Sequence, residues 1–135
     1  MDLAAYRGSD TERARVADLM ALVPSGLERV LDVGARDGFI SKLLAQRCIS
    51  VVALDLKQPD IEGEKIECVQ GNAIALDFSD AHFDLVFCAE VLEHVGTKDL
   101  GKACDEIARV SRKYLLLGAP YKQDIRYPTS FSVCH

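Results

Sequence analysis

Residues 30–44, Val-Leu-Asp-Val-Gly-Ala-Arg-Asp-Gly-Phe-Ile-Ser-Lys-Leu-Leu, read as a buried strand, a glycine-bearing turn and an amphipathic helix in direct succession. Such a run forces the strand and the following helix to pack on one another, and the turn between them presents backbone to a ligand. Gly34 and Gly38 lack a Cβ, so each can take a positive φ and let a bound molecule approach the main chain. The next apolar run, 51–55, ends in Asp55, twenty-one residues after Gly34. A carboxylate placed there can accept two ribose hydroxyl protons.

The remaining elements repeat the alternation. Ser9-Asp-Thr-Glu12 has the form of a capping box, and Ala17, Met20 and Val23 follow at helical spacing before Pro24, which predicts a helix over 10–23. Strands read at 29–33, 51–55, 66–70, 83–89 and 114–119. A second long helix spans 97–112, with Leu100, Ala103, Cys104, Ile107 and Ala108 as its apolar stripe and Lys98, Asp105, Arg109 and Arg112 facing away. Residues 58–64 are too short and broken for a helix and read as a loop or a single turn. Near-continuous apolar strands alternating with helices predict an α/β fold, a doubly wound, mostly parallel, Rossmann-like sheet of about five strands in one domain over 1–135. In that fold Gly34, Asp55, Asn72 and Glu90 all fall at strand carboxyl ends, so one crevice can gather them.

Glycine spacing separates the cofactors that use this layout. A dinucleotide needs G-x-G-x-x-G, but Arg36 and Phe39 stand at the third and sixth positions and would fill the space where a pyrophosphate packs. NAD and FAD are therefore disfavoured. S-adenosylmethionine (SAM), which has a ribose and no phosphate, tolerates these side chains better.

The motifs resemble those of the class I SAM-dependent methyltransferases, of the type that acts on small molecules. Residues 31–38, Leu-Asp-Val-Gly-Ala-Arg-Asp-Gly, match that family's D-x-G-x-G-x-G except at the middle glycine, replaced by Arg36. Asp55 falls on its ribose-binding acid, and Gly71-Asn72-Ala73 on the segment whose side chain meets the adenine amino group, where an amide oxygen can still accept. Residues 83–95 look like its fourth-strand motif, ending in Glu-Val-Leu-Glu-His. The resemblance, over about 30–120, implies a SAM site made by Asp32, Gly34, Ala35, Gly38, Asp55, Leu56, Asn72, Ala73 and Glu90. It also implies an N-terminal segment, with Tyr6 and Arg7, that can fold over the cofactor. Family members continue into a seven-stranded sheet. Residues 120–135 are too few for that, so the expected sheet is truncated and its fifth strand an open apolar edge. Residues 131–134 folding back, or a second copy of the chain pairing there, would cover it.

Charge and cysteines narrow the partners. The formal net charge is −5, with no lysine or arginine cluster, which disfavours nucleic acid. No apolar stretch approaches membrane-spanning length and no leader pattern opens the chain, so a cytoplasmic location is expected. The five cysteines lack a C-x-x-C and read as reduced thiols, and Cys134-His135 has no second pair with which to hold zinc. No metal is expected.

Methyl transfer from a sulfonium asks the protein to align donor and acceptor and to remove the acceptor's proton. His94 is the candidate base, since a helical turn would put it on one face with Glu90; packing or capping is the alternative role. Asp32 can order the turn amides, and Arg36 can either pair outward or reach the cofactor carboxylate. The expected function is methyl transfer to an oxygen or nitrogen of a small molecule. The alternative is a non-catalytic SAM-binding module, or half of an assembly whose partner supplies the acceptor pocket.

Overall fold

The computed structural model describes residues 8–89, 91–119 and 130–134. Tyr6, Arg7, Glu90, Pro120 and His135 lie outside them. Helix α1 (Asp10–Ala21) begins at Ser9, whose Oγ accepts the Glu12 N–H at 3.2 Å, as the capping box predicts. The buried Glu12 carboxylate then takes Nε and Nη2 of Arg15 at 2.9 and 2.7 Å. Strand β1 (Leu27–Val33) leads through the glycine turn into α2 (Phe39–Ala45) and β2 (Cys48–Asp55). Strands β3 (Ile66–Gln70) and β4 (Phe83–Ala89) follow, then a 3₁₀ turn (Leu92–His94) and α3 (Thr97–Val110). The helix runs straight into β5 (Ser111–Ala119), and β6 (Ser130–Cys134) is the last described strand.

The strands form one sheet in the order β3-β2-β1-β4-β5-β6. The first five are parallel, and β6 is antiparallel to β5, with Leu116 opposite Val133 and Gly118 opposite Phe131. The edge that the sequence left open is thus paired by residues 130–134, the fold-back that the sequence offered as one of its covers.

Alternation along the strands builds two cores. Val30, Val51, Leu85 and Phe87 face α1 and α2, while Leu31, Val33, Leu54, Val86 and Cys88 face α3. Phe83 joins the α3 side despite its odd number, because the β4–β5 register shifts between Phe83 and Leu85 and reverses the parity. On α3, Ala103, Ile107 and Val110 are buried, whereas Leu100, Cys104 and Ala108 are exposed. The helix is rolled relative to the predicted stripe, which brings Arg109 inward.

After β1 the chain winds outward through β2 and β3, then returns to place β4 on the other side of β1. Crevices form at such switch points, beyond the strand carboxyl ends. The β2–β3 connection, 56–65, contains no helix, in line with the sequence. It packs Ile61 onto Ala35 and Ala53 instead.

Candidate cofactor site

A cleft of about 280 Å³ opens at that switch point. Val33, Leu54, Ala73, Val91 and Val95 give it apolar walls, and Arg36, Asp55, Asn72 and His94 are its polar lining. Gly34, Asp55, Leu56, Asn72, Ala73 and His94 therefore come together as the sequence implied. Its volume is close to the lower end of ligand pockets, about 300–1,000 Å³.

The glycine turn is held from inside the sheet. Gly34 and Ala35 donate their N–H groups to the Leu54 carbonyl at 2.8 and 3.1 Å, and Arg36 donates its own to Asp55 Oδ2 at 2.9 Å. These amides bind β2, so what the turn offers a ligand is close approach more than donors. Gly34 has φ +80°, and a Cβ there would collide with the Val91 side chain. Arg36 holds φ +52° with a full side chain, an uncommon conformation outside glycine.

Asp55 Oδ1 accepts the Leu56 N–H at 2.8 Å. Each carboxylate oxygen thus has one backbone donor and keeps a second acceptor site, enough for a pair of vicinal hydroxyls. Asn72 Oδ1 accepts the Ile74 N–H at 3.2 Å, and the Asn72 carbonyl accepts from Ala75 at 3.0 Å. This Asx turn fixes the amide at the cleft wall while its oxygen keeps a further lone pair.

Three of the predicted residues stand elsewhere. Asp32 is buried in β1, not in the turn, and accepts the Ser41 hydroxyl at 2.6 Å, which ties α2 to the sheet. It and Ala35 line a separate hollow of about 30 Å³ that shares Gly34 and Arg36 with the cleft. Gly38 caps α2 at φ +84°, where a Cβ would come within 2.6 Å of Ile61. Its role is packing between the turn and the 56–65 loop.

His94 is exposed, and its backbone N–H reaches the Val91 carbonyl at 2.9 Å. The turn is 3₁₀, which stacks Val91 one turn before His94, and the expected pairing with Glu90 lies outside the described residues. Sequence reasoning missed Val91 and Val95, because apolar residues after a strand carry no signal of a ligand wall. It also missed the clamp on the Asn72 segment. Arg109 reaches Glu106 Oε2 at 2.6 Å, and Glu106 Oε1 accepts the Leu76 N–H at 2.8 Å. The Arg109 hydrogen bond, then the Leu76 amide, hold the Glu106 carboxyl below its ordinary range, and Glu106 followed by Asp80 raises the arginine in turn.

A profile described as a methyltransferase domain matches residues 31–114, more than half of the chain. The chain belongs to the methyltransferase domain family. This membership bears out the resemblance to class I SAM-dependent methyltransferases. A ubiquinone biosynthesis O-methyltransferase of Rickettsia conorii is 40% identical over 75 residues, 49% of this chain and 26% of that protein. A demethylmenaquinone methyltransferase of Renibacterium salmoninarum is 36% identical over 105 residues, 74% of this chain and 43% of that protein. This methyltransferase domain thus spans less than half the length of these curated relatives. The N-methyltransferase NodS of Bradyrhizobium japonicum, solved with S-adenosyl-L-homocysteine, superposes with a TM-score of 0.76 at 17% identity. That match covers 91% of this chain and 71% of NodS, and it shows a shared fold. Among the described residues no helix is long and apolar enough to cross a membrane.

Proposed function

We propose that this chain, acting as one domain, binds SAM in the cleft at the switch point and transfers its methyl group to an oxygen or nitrogen of a small molecule. The observation that carries the reading is Asp55. Its carboxylate is locked at the end of β2 by the Arg36 and Leu56 amides, with spare acceptor sites beside the bare Gly34 turn. A ribose diol meets that carboxylate, and the base lies between Leu56, Ala73 and Val91 with its amino group toward Asn72. The bound sulfonium supplies an already activated methyl group, so the chain's own work is to orient the acceptor and take its proton. His94, at the cleft wall, is the group suited to hold that proton.

The Rickettsia conorii relative, named as a ubiquinone biosynthesis O-methyltransferase, supports a small-molecule oxygen acceptor. The acidic balance of the chain weighs against nucleic acid. Cys48, Cys68 and Cys104 stand as free thiols, which suits a cytoplasmic location.

Calorimetric titration with SAM, S-adenosylhomocysteine and NAD tests the reading. SAM and its demethylated product should bind, and Asp55→Ala should weaken both by about 1.5–3 kcal/mol, the scale of lost charge-assisted hydrogen bonds. NAD binding more tightly than SAM overturns the assignment. SAM binding without methyl transfer to any of a panel of phenols and amines would favour the non-catalytic module instead.

A further inference from the structure

Arg109 lies on α3, outside the cleft, yet its guanidinium is divided between Glu106 on the same helix and the 76–80 segment that follows Asn72. Nη1 donates to the Phe78 carbonyl at 2.8 Å and to Asp80 Oδ1 at 2.9 Å. Nη2 donates to the Leu76 carbonyl at 2.8 Å and to Glu106 Oε1 at 3.1 Å. With Nε on Glu106, all three nitrogens are engaged. Leu76 is therefore gripped at both ends of its backbone, its N–H by Glu106 and its carbonyl by Arg109. Ala81 adds an N–H to the Arg109 carbonyl at 2.8 Å.

The grip is transmitted to the cleft over a short distance. Asn72 and Ala75 form an isolated bridge, and Ala73 and Leu76 are buried against Ala103 and Ile107 of α3. On the other side of Asn72, Gly71 is fixed by its N–H to the Asp55 carbonyl at 2.9 Å. Asn72 is thus suspended between the β2 end and the α3 clamp, and it has no strand of its own.

We propose that Arg109 is a positioning residue that sets Asn72 against the base of the bound nucleoside, and so fixes the preference of the cleft for a 6-aminopurine. The inference rests on the cleft taking the nucleoside of SAM. A planar guanidinium suits the task because one rigid fork holds several oxygens at set angles, which a lysine ammonium cannot do.

The test compares S-adenosylhomocysteine with S-inosylhomocysteine, which carries an oxo group in place of the amino group, on the whole chain. The parent should prefer the adenine ligand. Arg109→Gln should reduce that preference by about 3- to 10-fold, the scale of one hydrogen bond, and Arg109→Lys should fall between. Glu106→Gln keeps an oxygen for the Leu76 amide but loses the charge that seats Arg109. It should reproduce a smaller loss of preference, and it serves if the Arg109 variants do not fold. Equal weakening of both ligands, or no change in either, would reduce Arg109 to a structural residue and overturn the inference. A parent that binds neither ligand overturns the cofactor reading itself.

Discussion

Two residues of the glycine turn test how backbone geometry and ligand access are divided. Gly34 is required twice, by its positive φ and by the nearness of Val91. Gly34→Ala should cost about 2 kcal/mol or more in urea unfolding, from left-handed strain plus overpacking. Arg36 holds a positive φ with a full side chain in place, so Arg36→Gly should leave stability within about 1 kcal/mol of the parent, relief of strain being offset by a freer unfolded chain. A large loss in that variant would mean the Arg36 side chain is a structural tie. His94 has a different test. If it takes the acceptor proton, His94→Ala should lower turnover about 10²- to 10⁴-fold while S-adenosylhomocysteine affinity holds, and turnover within a few-fold of the parent would relegate it to packing. Asp55 and Gly34 were legible in the sequence because spacing after a strand fixes them. Asp32 was misplaced, since a motif cannot say whether an acid in the last residues of a strand turns toward a loop or, as here, toward Ser41.

Helix α3 is recognisable in the sequence as a helix, but not as a clamp. Periodicity located its bounds to within two residues, yet the buried face is Ala103, Ile107 and Val110 and not the wider predicted stripe. Rolled onto that face, the helix carries Arg109 to oxygen partners that lie some thirty residues earlier in a segment with no regular structure. No local pattern encodes a contact of that range. The clamp should nonetheless be visible in pH dependence. A carboxyl whose folded pKa is lowered contributes stability that is complete above its unfolded value, about 4.3, and is lost as pH falls through the lower folded value. Parent and Glu106→Gln should therefore differ most in melting temperature near neutrality. The gap should close as pH falls through that lowered folded value, below which both carry a neutral side chain. A gap that is constant with pH would show that the glutamate acts through shape and not charge.

At the scale of the molecule, β6 closes an apolar edge that would otherwise offer unpaired backbone to other strands. N–H groups of successive residues in an antiparallel edge strand point alternately toward and away from the partner, so of Ser132→Pro and Val133→Pro one should break the ladder to β5. That variant should show faster hydrogen exchange in β5 and a concentration-dependent rise in sedimentation coefficient. Both variants remaining monomeric, with β5 protected, would show that the edge does not depend on this cover.

The winding order also sets the sequence in which the sheet can be assembled. Strands β2 and β3 meet through a short, helix-free link, Val51 beside Ile66, whereas β1 must find β4 across a much longer stretch, Val30 beside Leu85. Loop-closure entropy makes the second encounter costlier by about 1 kcal/mol. Gly34 and Val91, which touch at the lining of the cleft, come together only through that costlier encounter. The binding crevice is consequently a late product of folding, and a ligand that needs both walls can select only chains that have already joined β1 to β4.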